Sequence, residues 1–219
     1  GCEKVNKIDM QGMEKKAVQG RFSVEEIGRQ TLADFKNDKN FVELLKCMLL
    51  CNDSKIKFED GKLETIGDPT EIALTDLAIN TNIDPIEILN KYPRVHEIPF
   101  DSTRKLMTTI HEIDGKFVSI TKGAPDVILN RSTSINNEGT VIDATESIKN
   151  EVLVQNNSFA DDALRVLAIA YKEYDLSVDV KSFEQDELEN GLTLLGLVGM
   201  IDPARPEVKD AIVQTKKAG

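Results

Sequence analysis

Histidine, cysteine, basic charge and long apolar runs are all scarce in this chain. Two histidines, His96 and His111, and three cysteines, Cys2, Cys47 and Cys51, in 219 residues make neither a disulfide framework nor a zinc ribbon, so no metal site is expected. Cys47 and Cys51 stand four apart in an amphipathic stretch, which places them on one helical face as small, reduced, apolar residues. Lysine and arginine number 27 against 38 acidic residues, a net charge of −11. That balance argues against nucleic acid as a partner, which calls for a basic footprint. It also means that an anionic ligand must be held by a local cluster of cations working against the overall field. No apolar run approaches the ~18–20 residues of a membrane span, and the opening GCEKVNKIDM lacks the apolar core of a signal peptide. The chain reads as soluble, with no direct membrane contact. Neither GxxxxGK[ST] nor GxGxxG occurs, so a Walker loop and a Rossmann site are unsupported.

What is present suffices for a core, since 40% of residues are hydrophobic and disorder is thereby disfavoured. Phe41, Leu44, Leu45, Met48 and Leu49 recur at helical spacing across residues 38–51. GDPTEIALTDLAI, residues 67–79, predicts a second helix: Asp68 can cap it, Pro69 suits its first position, and Glu71 falls where a capping box needs it. Apolar and polar residues alternate on both sides of Asp114-Gly115, the pattern of an antiparallel hairpin over 105–123. A short helix follows at 124–130, a longer one begins near 147, and LRVLAIAYKEY, residues 164–174, reads as a largely buried strand. Without regular βαβ alternation the class is α+β, an antiparallel sheet flanked by helices. LTLLGLVGMID and the proline-started segment after it look instead like a strand and helix of an α/β unit. A boundary is therefore expected near Gly191, dividing residues 1–191 from 192–219, and a strand there without sheet neighbours would leave backbone groups unpaired.

IPFDSTRKLM, residues 98–107, sets an aromatic ring beside two cations. Phe100 can stack on a flat base, Lys105 offers a point charge, and Arg104 can make a bidentate contact to phosphate. Phe100 and Lys105 share a face only if FDSTR bends, which Asp101 and Ser102 permit. Lys122-Gly123-Ala124-Pro125 ends the hairpin with a lysine, lets a ligand approach the backbone, and starts a helix whose amides could face an anion. Arg165 opens the later strand as another cation. Each feature also has an ordinary structural explanation: a core phenylalanine, solvated charges, a cap at Glu71, a strand-to-helix turn at KGAP.

Five motifs in order, GDPTEIAL (67–74), FDSTRKLM (100–107), KGAPDVIL (122–129), LRVLAIAY (164–171) and GMIDPARPEV (199–208), resemble the cytoplasmic ATP-binding region of P-type cation-transporting ATPases, above all the type II calcium pumps. The resemblance covers roughly residues 40–219. It implies that Phe100 stacks on adenine, that Lys105 and Lys122 line the pocket, that Gly123 gives room for the nucleotide, and that Glu71 hydrogen-bonds around the base. Arg165 would reach the phosphates, and Leu167 would pack near ribose or base. Asp202 and Arg205 would belong to the hinge and the phosphorylation domain. Ser102 is shorter than the polar residue some members carry there, and Asp126 replaces a common glutamate.

The family's phosphorylated aspartate lies in DKTGT, which does not occur here. The resemblance therefore implies a nucleotide-binding domain with a stub of the phosphorylation domain. It would bind ATP without hydrolysing it, with Mg²⁺ joining in the full-length enzyme. Its partners would be the phosphorylation and membrane domains of one parent chain, on the cytoplasmic side of the membrane. A regulatory module of the same fold with weakened nucleotide binding is the alternative.

Overall fold

The computed structural model describes residues 5–10, 20–22 and 39–201, apart from 60, 61, 82, 138 and 162. The chain is α+β, as its pattern predicts. The main sheet contains β1 (Val5–Met10), β2 (Gly20–Phe22), β5 (Arg94–Asp101), β6 (Leu106–Ile113), β7 (Lys116–Gly123), β10 (Leu164–Tyr174) and β11 (Leu192–Ile201), in the order β2-β1-β11-β10-β7-β6-β5. Neighbours along this path are antiparallel. β8 (Ser132–Asn137) joins β11 in parallel and pairs with β9 (Thr140–Asp143) on its other side. A separate hairpin of β3 (Lys55–Glu59) and β4 (Lys62–Ile66) stands apart from this sheet.

The expected hairpin is β6–β7, turning at Asp114 and Gly115 with φ of 50° and 79°. That left-handed pair matches the twist of the flanking strands, which is why an Asp-Gly step specifies the turn. Alternation then sends one row of side chains to each face. Met107, Ile120, Ile169 and Val198 pack with α1 (Lys39–Leu50) and α2 (Pro69–Asn80). Leu106, Ala168, Ala170 and Leu197 pack with α4 (Pro125–Arg131) and α5 (Glu146–Asp161) on the opposite face. In α1, Phe41, Leu44, Leu45 and Met48 are all buried, each contributing about 1.5–3 kcal/mol relative to exposure.

Helix α2 starts as its sequence predicts. Asp68 Oδ1 accepts the Thr70 N–H at 2.8 Å, and Pro69 is the first helical residue. α3 (Pro85–Lys91) repeats the device, with Asp84 Oδ1 accepting from Ile86 at 2.9 Å and Glu87 at 3.2 Å. A short α6 (Gln185–Leu188) precedes β11.

Strand β11 lies inside the main sheet. One edge pairs with β10 from Leu164↔Ile201 to Tyr171↔Thr193, while the other is shared between β8 at residues 192–194 and β1 at 197–200. At residues 193–194 and 197–200 its backbone therefore has neighbours on both sides. Residues 202–219, with Asp202 and Arg205, lie outside the described residues.

Candidate functional site

The FDSTR segment does turn. Asp101 Oδ1 accepts the N–H groups of Thr103 at 3.0 Å and Arg104 at 2.8 Å, and the Lys105 N–H donates to the Asp101 carbonyl at 2.6 Å. Lys105 adopts a left-handed φ of 59°. β5 carries one residue more than β6 between the pairs Ile98↔Thr108 and Asp101↔Leu106. Such a bulge shifts the parity of a strand. Phe100, one step before Asp101, is thereby turned towards the face that carries Met107 and Lys122. Phe100 is 63% exposed, unlike the core phenylalanines Phe41 and Phe159.

Lys122 is paired across the sheet with Met107 and with Ile169. Its Nζ meets Glu71 Oε1 at 2.6 Å, with the two side chains only 7% and 15% exposed. A lysine this buried is tolerated only with its charge compensated. Glu71 is itself held, since Oε2 accepts the Asp53 N–H at 2.9 Å and its carbonyl accepts from Asn52 Nδ2 at 3.0 Å. The capping box expected of Glu71 is therefore not what engages its carboxylate, which leaves its own helix to reach Asp53 and Lys122. Arg94, at the start of Phe100's strand, donates to Asp53 Oδ1 and to the Asn52 carbonyl, both at 2.8 Å. Behind the pair Cys51 lies buried, its Sγ 3.6 Å from the Met107 carbonyl. Burial raises its thiol pKa above the ordinary value despite nearby Lys122, which leaves it a small apolar filler rather than a nucleophile.

Arg165 lies on the same face, exposed, with Nη1 donating to Thr70 Oγ1 at 3.1 Å at the start of α2. Leu167, two residues on, is half-buried against the α1–α2 side of the core. Glu71, Lys122, Arg165 and Leu167 thus gather on one face, and Phe100 and Lys105 stand at the adjoining turn.

Gly123 has a reason within the fold itself. A Cβ there would lie 2.2 Å from the Lys105 carbonyl oxygen and 2.6 Å from Leu106 Cδ2. The turn itself occupies the space that a side chain would need. The Ala124 N–H donates to the same carbonyl at 3.2 Å, so the amide next to the turn is already used. Arg104 departs from its expected role. Its Nη2 donates to the carbonyls of Pro99 and Leu106 at 2.8 and 3.0 Å, and its Nε donates to Glu189.

Asn52, Asp53, Arg94 and Glu189 carry no local signal in the sequence, because the contacts that bring them here join residues distant along the chain. A separate concavity of ≈340 Å³ between Phe58, Leu63, Ile79, Ile83 and Ile86 has none of the residues singled out above. Its one acidic group, Asp84, already caps α3. The cationic cluster, not this apolar groove, has the chemistry for an anionic ligand with a flat end.

The family model described as "P-type ATPase, cytoplasmic domain N" matches residues 40–207. The chain belongs to the P-type ATPases. Among its relatives, calcium-transporting ATPase 1 of Bacillus cereus is 44% identical over 177 residues, 80% of this chain and 19% of that protein. Calcium-transporting ATPase 1 of Lactococcus lactis is 43% identical over 176 residues, again 80% and 19%. The endoplasmic reticulum-type calcium-transporting ATPase 3 of Arabidopsis thaliana is 32% identical over 201 residues, 80% of this chain and 20% of that protein. The chain spans about a fifth of the length of these relatives. Within this P-type ATPase domain, no described helix is long and apolar enough to cross a membrane.

Proposed function

We propose that this domain binds ATP and presents its γ-phosphate to an aspartate elsewhere in a cation-pumping P-type ATPase. The observation that carries the reading is the buried Lys122–Glu71 pair beside an exposed Phe100. An adenine stacked on Phe100 gains about 1–3 kcal/mol. Its amino group is a donor for Glu71, and its ring nitrogens are acceptors for Lys122, so one ion pair offers both complements of the base. Lys105 lines the same pocket, Leu167 supplies apolar contact, and Arg165 faces the phosphates. With Glu71 counted, the cluster's net charge is positive, which an anion needs in a chain of net charge −11.

The transfer would occur by attack of an aspartate oxygen on the γ-phosphorus, breaking its bond to the β–γ bridging oxygen and releasing ADP. No DKTGT motif is present, so the domain positions and does not attack. Domain closure on the cytoplasmic side of the membrane would unite the two halves of the site. The relatives' names point to calcium as the cation. Mg²⁺ would travel with the phosphates. Among the described residues no group of three or more His, Cys, Asp or Glu is placed to hold a metal, so no step here is assigned to it. Asp202 would stand at the hinge towards the phosphorylation domain.

The test is an NMR titration of the ¹⁵N-labelled chain with ATP, with and without Mg²⁺. Shifts concentrated at residues 100, 105 and 122 and little altered by the metal are expected. Their absence at millimolar ATP would sink the reading.

A further inference from the structure

We infer that Glu189 is a positioning residue for the nucleotide site, acting through Arg104 on the turn that carries Phe100 and Lys105. The inference rests on the nucleotide reading above. Glu189 follows α6, 85 residues from Arg104 along the chain, and its side chain enters the sheet face opposite Lys122. The pair is sealed, with Arg104 and Glu189 side chains 10% and 0% exposed. Arg104 Nε lies 2.9 Å from Glu189 Oε2 and 3.2 Å from Oε1. Only Oε1 receives aligned hydrogen bonds, from that Nε and from Thr108 Oγ1 at 2.8 Å, while Oε2 is in ion-pair contact without an aligned donor.

Stability alone is a poor reason for such a pair, because apolar side chains of similar volume commonly serve as well. What apolar side chains cannot do is donate. Arg104 Nη2 gives hydrogen bonds to the carbonyls of both Pro99 and Leu106, the residues that bracket Phe100–Lys105. The guanidinium is planar, so fixing its Nε side at Glu189 fixes where Nη2 points. Glu189 is anchored in turn, its N–H donating to the Gln185 carbonyl at 3.0 Å and its own carbonyl accepting from Arg131 at 3.4 Å. The left-handed Lys105 in that turn is a conformation that persists where its surroundings over-determine it. Glu189 therefore sets the position of the stacking ring and the lysine without touching the nucleotide.

The test compares the wild type with Arg104→Lys and with the double variant Arg104→Met/Glu189→Leu, reading the thermal midpoint and the ATP dissociation constant of each. An ammonium can hold Glu189 but cannot serve both carbonyls in one plane, so Arg104→Lys should bind ATP about tenfold more weakly. The double variant should keep or raise the midpoint while losing ATP affinity to a similar extent. A merely structural pair would recover affinity together with the midpoint. A folded variant of either kind that binds ATP within about twofold of wild type overturns the inference, and Arg104→Lys decides if the double variant does not fold. No ATP binding by the wild type would overturn the nucleotide reading and this inference with it.

Discussion

Lys122 pairs with Glu71 on one face of the sheet, and Arg104 pairs with Glu189 on the other. Both pairs are largely withdrawn from water, yet they are built for different ends. Lysine is a point charge with rotatable donors, and its Nζ is held by one carboxylate oxygen, so a ligand can share it or draw it away. Arginine is a rigid fork, and Arg104 engages a carboxylate and two carbonyls together. A change of partner at the first pair would break one contact, and a change at the second would break three. The proposed nucleotide site would need both: one charge pair for a ligand to meet, and one that keeps the turn beside it in place.

The contrast can be broken most severely at Glu189. Glu189→Ala should leave Arg104 buried without its counter-charge and cost about 3–5 kcal/mol, read as a lowered urea midpoint. Gly123→Ala should come next, forcing its Cβ against the Lys105 carbonyl; about 1–3 kcal/mol is expected, together with ¹⁵N shifts across residues 101–106. Lys122→Ala should reverse the order of effects, because Glu71 keeps the Asp53 N–H. Stability should fall by about 1–2 kcal/mol, while ATP affinity drops by more than about tenfold in calorimetry. Phe100→Ala should sharpen the division further, since the ring is exposed. Binding should weaken by about 1–3 kcal/mol with the thermal midpoint unchanged, and equal affinity would remove the ring from the site.

The smallest expected effect belongs to His111, buried between the Tyr92 carbonyl and Thr109 Oγ1. Burial holds its pKa below the ordinary 6.5 despite the hydrogen bond to Tyr92. The unfolded chain then takes up the proton first. The contribution of neutral His111 is fully present above pH 6.5 and is lost as the pH falls through the folded value. A His111→Gln variant should show a shallower fall in thermal midpoint over that acid range.

Features with a local cause were legible in the sequence. Asp114-Gly115 specified its hairpin, Asp68-Pro69 its helix start, and the apolar run 164–174 became β10 over those same residues. β3–β4 and β8–β9 were not anticipated, because these short and largely polar strands take their order from pairing rather than from a buried face. Glu71, Lys122, Arg165 and Leu167 do converge, but Glu71's cap-like position gave no hint that its carboxylate crosses to Lys122 and Asp53. Gly123 was legible as a place of close approach, and the structure adds a neighbour the sequence does not name, the Lys105 carbonyl. Glu189 was invisible because its partner is 85 residues away, and no periodicity or spacing encodes such a contact.

The placement of β11 has a mechanical side. The strand runs through the middle of the sheet and is bonded along one edge to β10 from residue 193 to residue 201. A pull along the strand at Ile201 would load those bonds together, in shear, rather than opening them one by one as at a peeling edge. A pull along the chain at that point would therefore be passed through β10 to the rest of the sheet, β5 and Phe100 included, like a blade gripped by its tang.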